Sequence, residues 1–223
     1  MKIMEVSLSE LEGAESLKKL VLSDVDGTLI RGSLVLDHAV WLHGKGIIEL
    51  GQIPASWLAT PKDEKLMKVL AESYRSAIKG MALKDLRISE YMDEIMSTDQ
   101  KFYSTLERLK AAHAAGETVV LISGSPQFLV GHFARQFGFK AIGSTYHRDS
   151  SQSLNGRVTG MFTADAKLRA ITKLGLEAYS FITAYGDTCS DMPLLEAAHH
   201  AVLVDPSPET LSLYKRVDEI IHQ

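Results

Sequence analysis

The strongest constraint in this 223-residue chain is an alternation: short apolar runs that end in small or acidic residues, separated by helix-length amphipathic stretches. Leu20-Val21-Leu22 runs into Ser23-Asp24-Val25-Asp26-Gly27-Thr28, and the run at 119–122 closes on Ser123-Gly124-Ser125-Pro126. The run at 181–185 closes on Gly186-Asp187, and that at 201–204 on Asp205-Pro206; Ala141-Ile142-Gly143 is a weaker member of the set. Short continuous apolar runs of this kind read as strands buried on both faces, the habit of parallel sheets. Between them, apolar spacing near 3.6 predicts helices over 102–115, 128–137, 164–174, 191–198 and 209–214, the first three stopped at Gly116, Gly138 and Gly175. Strands alternating with helices imply βαβ units. The expected fold is therefore α/β, a Rossmann-like doubly wound parallel sheet.

Residues 31–101 break the rhythm. They hold helical patterns at 34–43, 63–78 and 89–96, with breaks near Gly44, Gly46, Pro54 and Pro61, and no convincing strand. The expected organisation is a core made of 1–30 and 102–223, with an all-helical domain at 31–101 inserted between the first two strands. The first seventeen residues are polar and mixed, and read as a short helix or a loose arm. Asn155-Gly156 reads as a hairpin turn. Trp41 and Trp57 are assigned to the core of the insert or to a pocket wall.

Charge and composition narrow the function classes. The formal net charge is -4, so no basic excess favours nucleic acid or an anionic membrane surface as partner. No apolar run is long enough to span a bilayer. The start of the chain has no apolar signal-peptide region, and the single cysteine, Cys189, has no internal partner. Both point to a cytoplasmic protein.

Ligands of open α/β sheets bind at the carboxyl ends of the strands. Asp24, Asp26, Ser123 and Asp187 stand there. Alternation along a strand would put Asp24 and Asp26 on one side. Neighbouring carboxylates repel unless a cation or a shared proton relieves them. Oxygen-only ligands suit a hard cation such as Mg²⁺, with Asp187 as a third protein oxygen. An anionic substrate also needs a cation, and Lys167 lies in the helical pattern before the fourth strand. Each residue has a plainer reading. Asp-x-Asp can cap a helix or shape a turn. Ser-Gly can be an ordinary loop, and Lys167 a surface lysine. Asp187 and Asp191 can form an Asx-turn and a helix cap. The eight histidines show no H-x-x-x-H pair with a third ligand, so zinc is not expected. Cys189 is expected to be a small buried side chain.

Taken together and in order, these segments resemble the motifs of haloacid dehalogenase superfamily phosphatases. DVDGTL at 24–29 is similar to motif I, ISGS at 122–125 to motif II, Lys167 to motif III and GDTCSD at 186–191 to motif IV. The resemblance implies that Asp24 is a nucleophile that becomes an aspartyl-phosphate. It implies that Asp26 protonates the leaving oxygen and then activates water. Ser123 and the Gly124 backbone N–H would hold phosphoryl oxygens, and Lys167 would neutralise them. Mg²⁺ would be held by Asp24, the Asp26 main-chain carbonyl and Asp187, with Asp191 in support of Lys167.

A helical insert at this place resembles the branch that contains phosphoserine phosphatase (subfamily IB), as do ALKDL at 82–86 and GRVTG at 156–160. Two positions depart from that enzyme. Ser33 stands where it has a glutamate for the substrate ammonium. Lys79 stands where its cap has an arginine for the substrate carboxylate, with Arg75 and Arg87 as neighbours. Ser190 also replaces a frequent asparagine in motif IV. The implied function is Mg²⁺-dependent hydrolysis of a small phosphorylated metabolite in the cytoplasm. Three alternatives stay open: a phosphotransferase using the same aspartyl-phosphate, phosphoserine phosphatase specifically, and a receiver-like signalling domain phosphorylated on aspartate. The long insert and the acid at position 26 speak against the last. The oligomeric state is not legible in the sequence.

Overall fold

The structure, a computed structural model, describes residues 18–50, 64–98, 101–160 and 163–223. In chain order its elements are β1 (Lys19–Ser23), α1 (Leu34–Gly44), α2 (Glu64–Ala77), α3 (Ile88–Met96), α4 (Ser104–Ala114), β2 (Thr118–Pro126), α5 (Gln127–Arg135), β3 (Lys140–Arg148) and β4 (Leu154–Thr159). They continue with α6 (Ala164–Ile171), β5 (Phe181–Gly186), α7 (Met192–Glu196), β6 (His200–Val204), α8 (Pro208–Leu213) and β7 (Glu219–Ile221). The seven strands form one sheet in the order β4-β3-β2-β1-β5-β6-β7. All neighbours are parallel except β3 and β4, so the expected doubly wound α/β sheet is what the chain forms.

Strand alternation splits the core into two layers. Val21, Val119, Leu121, Val202 and Val204 face one side and pack with Leu106 and Leu109 of α4 and Leu129 and Phe133 of α5. Leu20, Leu22, Val120, Ile122 and Leu203 face the other and pack with Ala170 and Ile171 of α6 and Leu194 and Leu195 of α7. Because both faces are covered, β1 is apolar at three successive positions rather than alternating. β1 sits at the centre, with Leu22 opposite Val120 on one side and Ala184 on the other. The ends of β1, β2 and β5 therefore converge on one spot.

Between β1 and α4, the described chain is helical, as expected: α1, α2, a 3₁₀ turn at Leu83–Leu86, and α3. Val35, Leu36, Ala39 and Leu42 of α1 pack on Tyr74, Ile78 and Leu86, and Leu154 of β4 joins them. His38 is fully buried here. Its Nε2 lies 2.8 Å from the Leu86 carbonyl oxygen, which can only accept, so that nitrogen carries the hydrogen. Nδ1 then accepts from the Tyr74 hydroxyl at 2.9 Å. Burial lowers the imidazole pKa to about 4, so the ring is neutral. The chain leaves the sheet at Ile30 and returns at Phe102, and these two residues form an antiparallel bridge. Arg31 N–H donates to the Lys101 carbonyl at 2.7 Å, and Tyr103 N–H to that of Leu29 at 2.9 Å.

Several expectations needed correction. Asn155-Gly156 lies inside β4 and is not the turn. The turn falls before Leu154, where Asp149 Oδ1 accepts the backbone N–H of Ser151 and of Ser153, at 2.9 and 3.1 Å. This Asx geometry, with Gln152 at φ +67°, closes the hairpin instead. β3 runs well past the predicted 141–143 because β4 pairs with its far half. β7 was not foreseen; three residues carry no readable period. The helix predicted over 164–174 tightens to a 3₁₀ turn after Ile171. The N-terminal arm and Trp57 lie outside the described residues. Among the described residues, no helix is long and apolar enough to cross a membrane.

Candidate active site

β1 ends at Ser23, so Asp24 and Asp26 stand in the loop beyond it and strand alternation does not set their directions. Their side chains have separate partners. Asp24 is buried, and its Oδ1 accepts from the Lys167 ammonium at 2.7 Å. Lys167, on α6 and 3% exposed, also donates to Asp191 Oδ1 at 2.5 Å. Asp191 Oδ2 in turn accepts the Asp187 and Thr188 N–H groups, at 3.1 and 3.0 Å, and the Thr188 hydroxyl at 3.0 Å. With both oxygens so engaged, Asp191 anchors Lys167. Asp187, next to the end of β5, accepts the Thr28 hydroxyl at 2.9 Å.

Asp26 points to β2 and α1. Its Oδ2 accepts the hydroxyls of Ser123 and Ser125, each at 2.8 Å. Its Oδ1 accepts the Leu34 N–H at 2.6 Å. That N–H is one of the donors left open in the first turn of α1, and the helix dipole favours an anion there. Burial raises the Asp26 carboxyl above its ordinary range, and the Leu34, Ser125 and Ser123 hydrogen bonds oppose that rise. The Gly124 carbonyl accepts the Ser144 hydroxyl at 2.5 Å, which ties this end of β2 to β3.

Charge inside the cluster is unbalanced. Burial pushes the Asp24 carboxyl well above the ordinary range; Lys167 opposes this, while Asp191, Asp187 and Asp26 add to it. Burial also works against the Lys167 charge, but Asp191 and Asp24 outweigh it and keep the ammonium protonated. The two partners thus pull apart on one contact. The 2.7 Å approach to an ammonium with two carboxylate acceptors decides for an ionised Asp24. One lysine then faces several buried carboxylates, an excess of negative charge that a divalent cation would relieve. An oxygen of each of Asp24, Asp187 and Asp191 lies within 4.8 Å of the others; with Asp191 engaged by Lys167, Asp24 and Asp187 are the hard carboxylate donors that fit Mg²⁺.

Six of the residues picked from sequence thus meet at one end of the sheet: Asp24, Asp26, Ser123, Lys167, Asp187 and Asp191. Lys79 is not among them. It is exposed at the seam between the insert and the β3–β4 hairpin, its alkyl chain 3.2 Å from where a side chain on Gly156 would begin. Arg87 pairs with Glu90 on the surface. Cys189 is exposed, not buried as expected, because the 3₁₀ turn Cys189–Asp191 turns its first residue outward to bring Asp191 in. Ser125 and Thr28 were missed. Ser-x-Ser at a strand end and the threonine of Asp-Gly-Thr were the available signals.

Residues 21–196 match the model of the haloacid dehalogenase-like hydrolases. The chain belongs to that family. It is an enzyme family, as the motifs implied, and the match takes in every residue of the cluster. Among curated proteins, a probable phosphatase of Mycobacterium tuberculosis is 25% identical over 194 residues, covering 82% of this chain and 67% of the relative. The phosphoserine phosphatase SerB1 of the same organism is 27% identical over 203 residues, covering 85% and 66%. The chain therefore spans about two thirds of the length of these relatives. Solved structures share the fold. A protein of unknown function from Bordetella pertussis Tohama I superposes with a TM-score of 0.70 at 19% identity, covering 92% of this chain and 99% of that one. A phospho-aspartyl intermediate analogue of phosphoserine phosphatase superposes with a TM-score of 0.63 at 17% identity, covering 92% and 94%.

Proposed function

We propose that this chain is a Mg²⁺-dependent phosphohydrolase that cleaves a small phosphomonoester through an aspartyl-phosphate on Asp24. The observation that carries the reading is the buried Lys167 ammonium held between Asp24 and Asp191, with Asp187 beside them and Asp26 held separately by Ser123. Positive charge sits where a transferring phosphoryl group would lie, and phosphoryl transfer depends mostly on such electrostatic placement.

In this reading Asp24 attacks phosphorus, and the bond from phosphorus to the leaving oxygen breaks. Asp26 gives that oxygen a proton. Asp26, now a carboxylate, takes a proton from water; the water oxygen attacks phosphorus and the bond to Asp24 breaks, releasing phosphate. Ser123 and the Gly124 N–H hold phosphoryl oxygens, and Lys167 neutralises them and keeps Asp24 ionised. Asp24, Asp187 and the Asp26 carbonyl would hold Mg²⁺, which supplies charge neutralisation at the phosphoryl oxygens when bound.

The insert at 31–101 serves as a cap over the strand ends, with 1–30 and 102–223 as the catalytic core. Its first helix is bonded to Asp26 through Leu34, so cap and acid are linked. Ser33 bears on the substrate. Its hydroxyl is buried without a hydrogen-bond partner among the described residues, and it is no carboxylate. An ammonium brought there gains no anion from Ser33, and the neighbouring Asp37 carboxylate is already paired with Lys101 at 2.7 Å. We therefore favour a small phosphorylated alcohol, sugar or acid over phosphoserine; Lys79, exposed at the seam with the β3–β4 hairpin, is given no part in holding it. The cytoplasm is the proposed setting.

The test is phosphate release from a panel of phosphorylated metabolites. Release should require Mg²⁺ and stop in excess EDTA. Full activity in chelator would remove the metal mechanism, and phosphoserine as the best substrate would remove the Ser33 argument.

A further inference from the structure

We propose that Ser125 is a positioning residue for Asp26: its hydroxyl holds the proton-transfer carboxylate while Ser123 turns to the phosphoryl group. The inference rests on the phosphatase reading above and goes beyond it, because Ser125 lies outside the residues to which that reading gives a role.

A serine hydroxyl has one hydrogen to donate. In the structure Ser123 gives it to Asp26 Oδ2 at 2.8 Å, while its oxygen accepts the Ser125 N–H at 2.9 Å. Ser123 cannot donate to a phosphoryl oxygen and to Asp26 together. When it serves the substrate, Asp26 Oδ2 loses that bond, and a buried carboxylate oxygen without a donor is costly and free to swing. Ser125 supplies the second donor to the same oxygen, also at 2.8 Å. Both serines are buried, at 0% and 1% exposure.

Ser125 is itself firmly placed. It lies next to the end of β2, where Pro126 is in register with Ser144. The Ser144 hydroxyl binds the Gly124 carbonyl, and the Gly143 N–H donates to Gln127 Oε1, each at 2.5 Å. These bonds hold the turn on both sides of Ser125. Together with Leu34 N–H on Oδ1, they keep Asp26 in one orientation through both of its proton transfers. Orientation of this kind is what lets a general acid act in the transition state.

The leaving group separates this role from a structural one. A p-nitrophenolate leaves without a proton; an alkoxide needs one. The full chain, its Ser125→Ala variant and its Ser125→Thr variant are assayed with Mg²⁺ on ethyl phosphate and on p-nitrophenyl phosphate. Ser125→Ala should lower kcat/KM for ethyl phosphate by at least about tenfold, a fraction of what a general acid contributes. It should lower kcat/KM for p-nitrophenyl phosphate by less than about threefold. Water activation should slow as well, so p-nitrophenolate should appear in a burst. Ser125→Thr, which keeps the hydroxyl, should restore most of the ethyl phosphate rate. Equal losses on both substrates, or no loss on either, overturn the role of Ser125 and leave the phosphatase reading intact. A wild-type chain that releases phosphate from neither ester overturns both. If Ser125→Ala melts well below the wild type, Ser125→Cys, of similar size but a weak donor, takes its place with the same expected split.

Discussion

Gly27 offers the sharpest test of the cluster's geometry. It follows Asp26 at φ +84°, a conformation that side-chain-bearing residues rarely adopt. A Cβ built there would stand 2.4 Å from Asp187 Oδ2, and ordinary contact begins at 3.4 Å. In Gly27→Ala, either the loop or the Asp187 carboxylate must therefore give by about 1 Å, the difference between those two distances. The backbone strain costs about 1–2 kcal/mol. For a chain of this length that is a fall in Tm of about 2–8 °C. The larger consequence is at the site, since a displacement of about 1 Å can cost about a hundredfold in rate. Thermal melts and a Mg²⁺ titration of phosphate release would read both effects. The Mg²⁺ concentration for half-activity should rise about tenfold or more, because a proposed ligand has moved. Gly46→Ala is the control. Gly46 is at φ +67°, and an added methyl there would meet nothing within 4 Å, so this variant should lose stability and keep its Mg²⁺ requirement. A Gly27→Ala enzyme with wild-type melting and an unchanged Mg²⁺ titration would refute the argument.

Two further outcomes follow from the same structure. Asp24→Asn should lower phosphate release by about a thousandfold or more, as loss of a nucleophile does, and near-normal turnover would replace covalent catalysis by direct attack of water. His38 makes the insert acid-sensitive: its folded pKa of about 4 lies below the ordinary 6.5, so the unfolded chain binds the proton first. The stability it lends is full above 6.5 and fades as pH falls toward 4, by about 3 kcal/mol in all. Wild-type Tm should then drop further than that of His38→Gln between neutral pH and the acid limit, and parallel curves would show that His38 does not titrate this way.

The sheet was legible in the sequence because burial on both faces leaves apolar runs that end abruptly. Ser23-Asp24, Ile122-Ser123 and Gly186-Asp187 mark places where the chain passes from the core to the polar cluster at the strand ends. Lys167 was legible only through its order among the motifs; its burial between Asp24 and Asp191 is a tertiary fact. Asp26 shows the limit more clearly. Strand alternation suggested that it would point with Asp24, but β1 ends one residue before Asp24, and the three donors on Asp26 come from the start of α1, eight residues on, and from the far end of β2. Ser125 was hidden because a serine before proline reads as a loop residue. Asn155-Gly156 misled because the local preference of two residues lost to Asp149, whose carboxylate organises the hairpin four residues before its end. β7 is too short for any pattern to announce it.

The bridge between Ile30 and Phe102 makes the two ends of the helical insert neighbours. Seventy-one residues depart and return through a single doorway, as a loop does, although their length is that of a small domain. Whatever lies beyond that doorway can be lengthened, shortened or exchanged without re-threading the sheet, since the strand order and the positions of Asp24, Lys167 and Asp187 do not pass through it. On the proposed reading, the chemistry and the choice of substrate are written in stretches of one chain that meet where the Leu34 N–H binds Asp26. A graft of another helical insert at 30 and 102 is accordingly the natural way to re-address this catalytic centre.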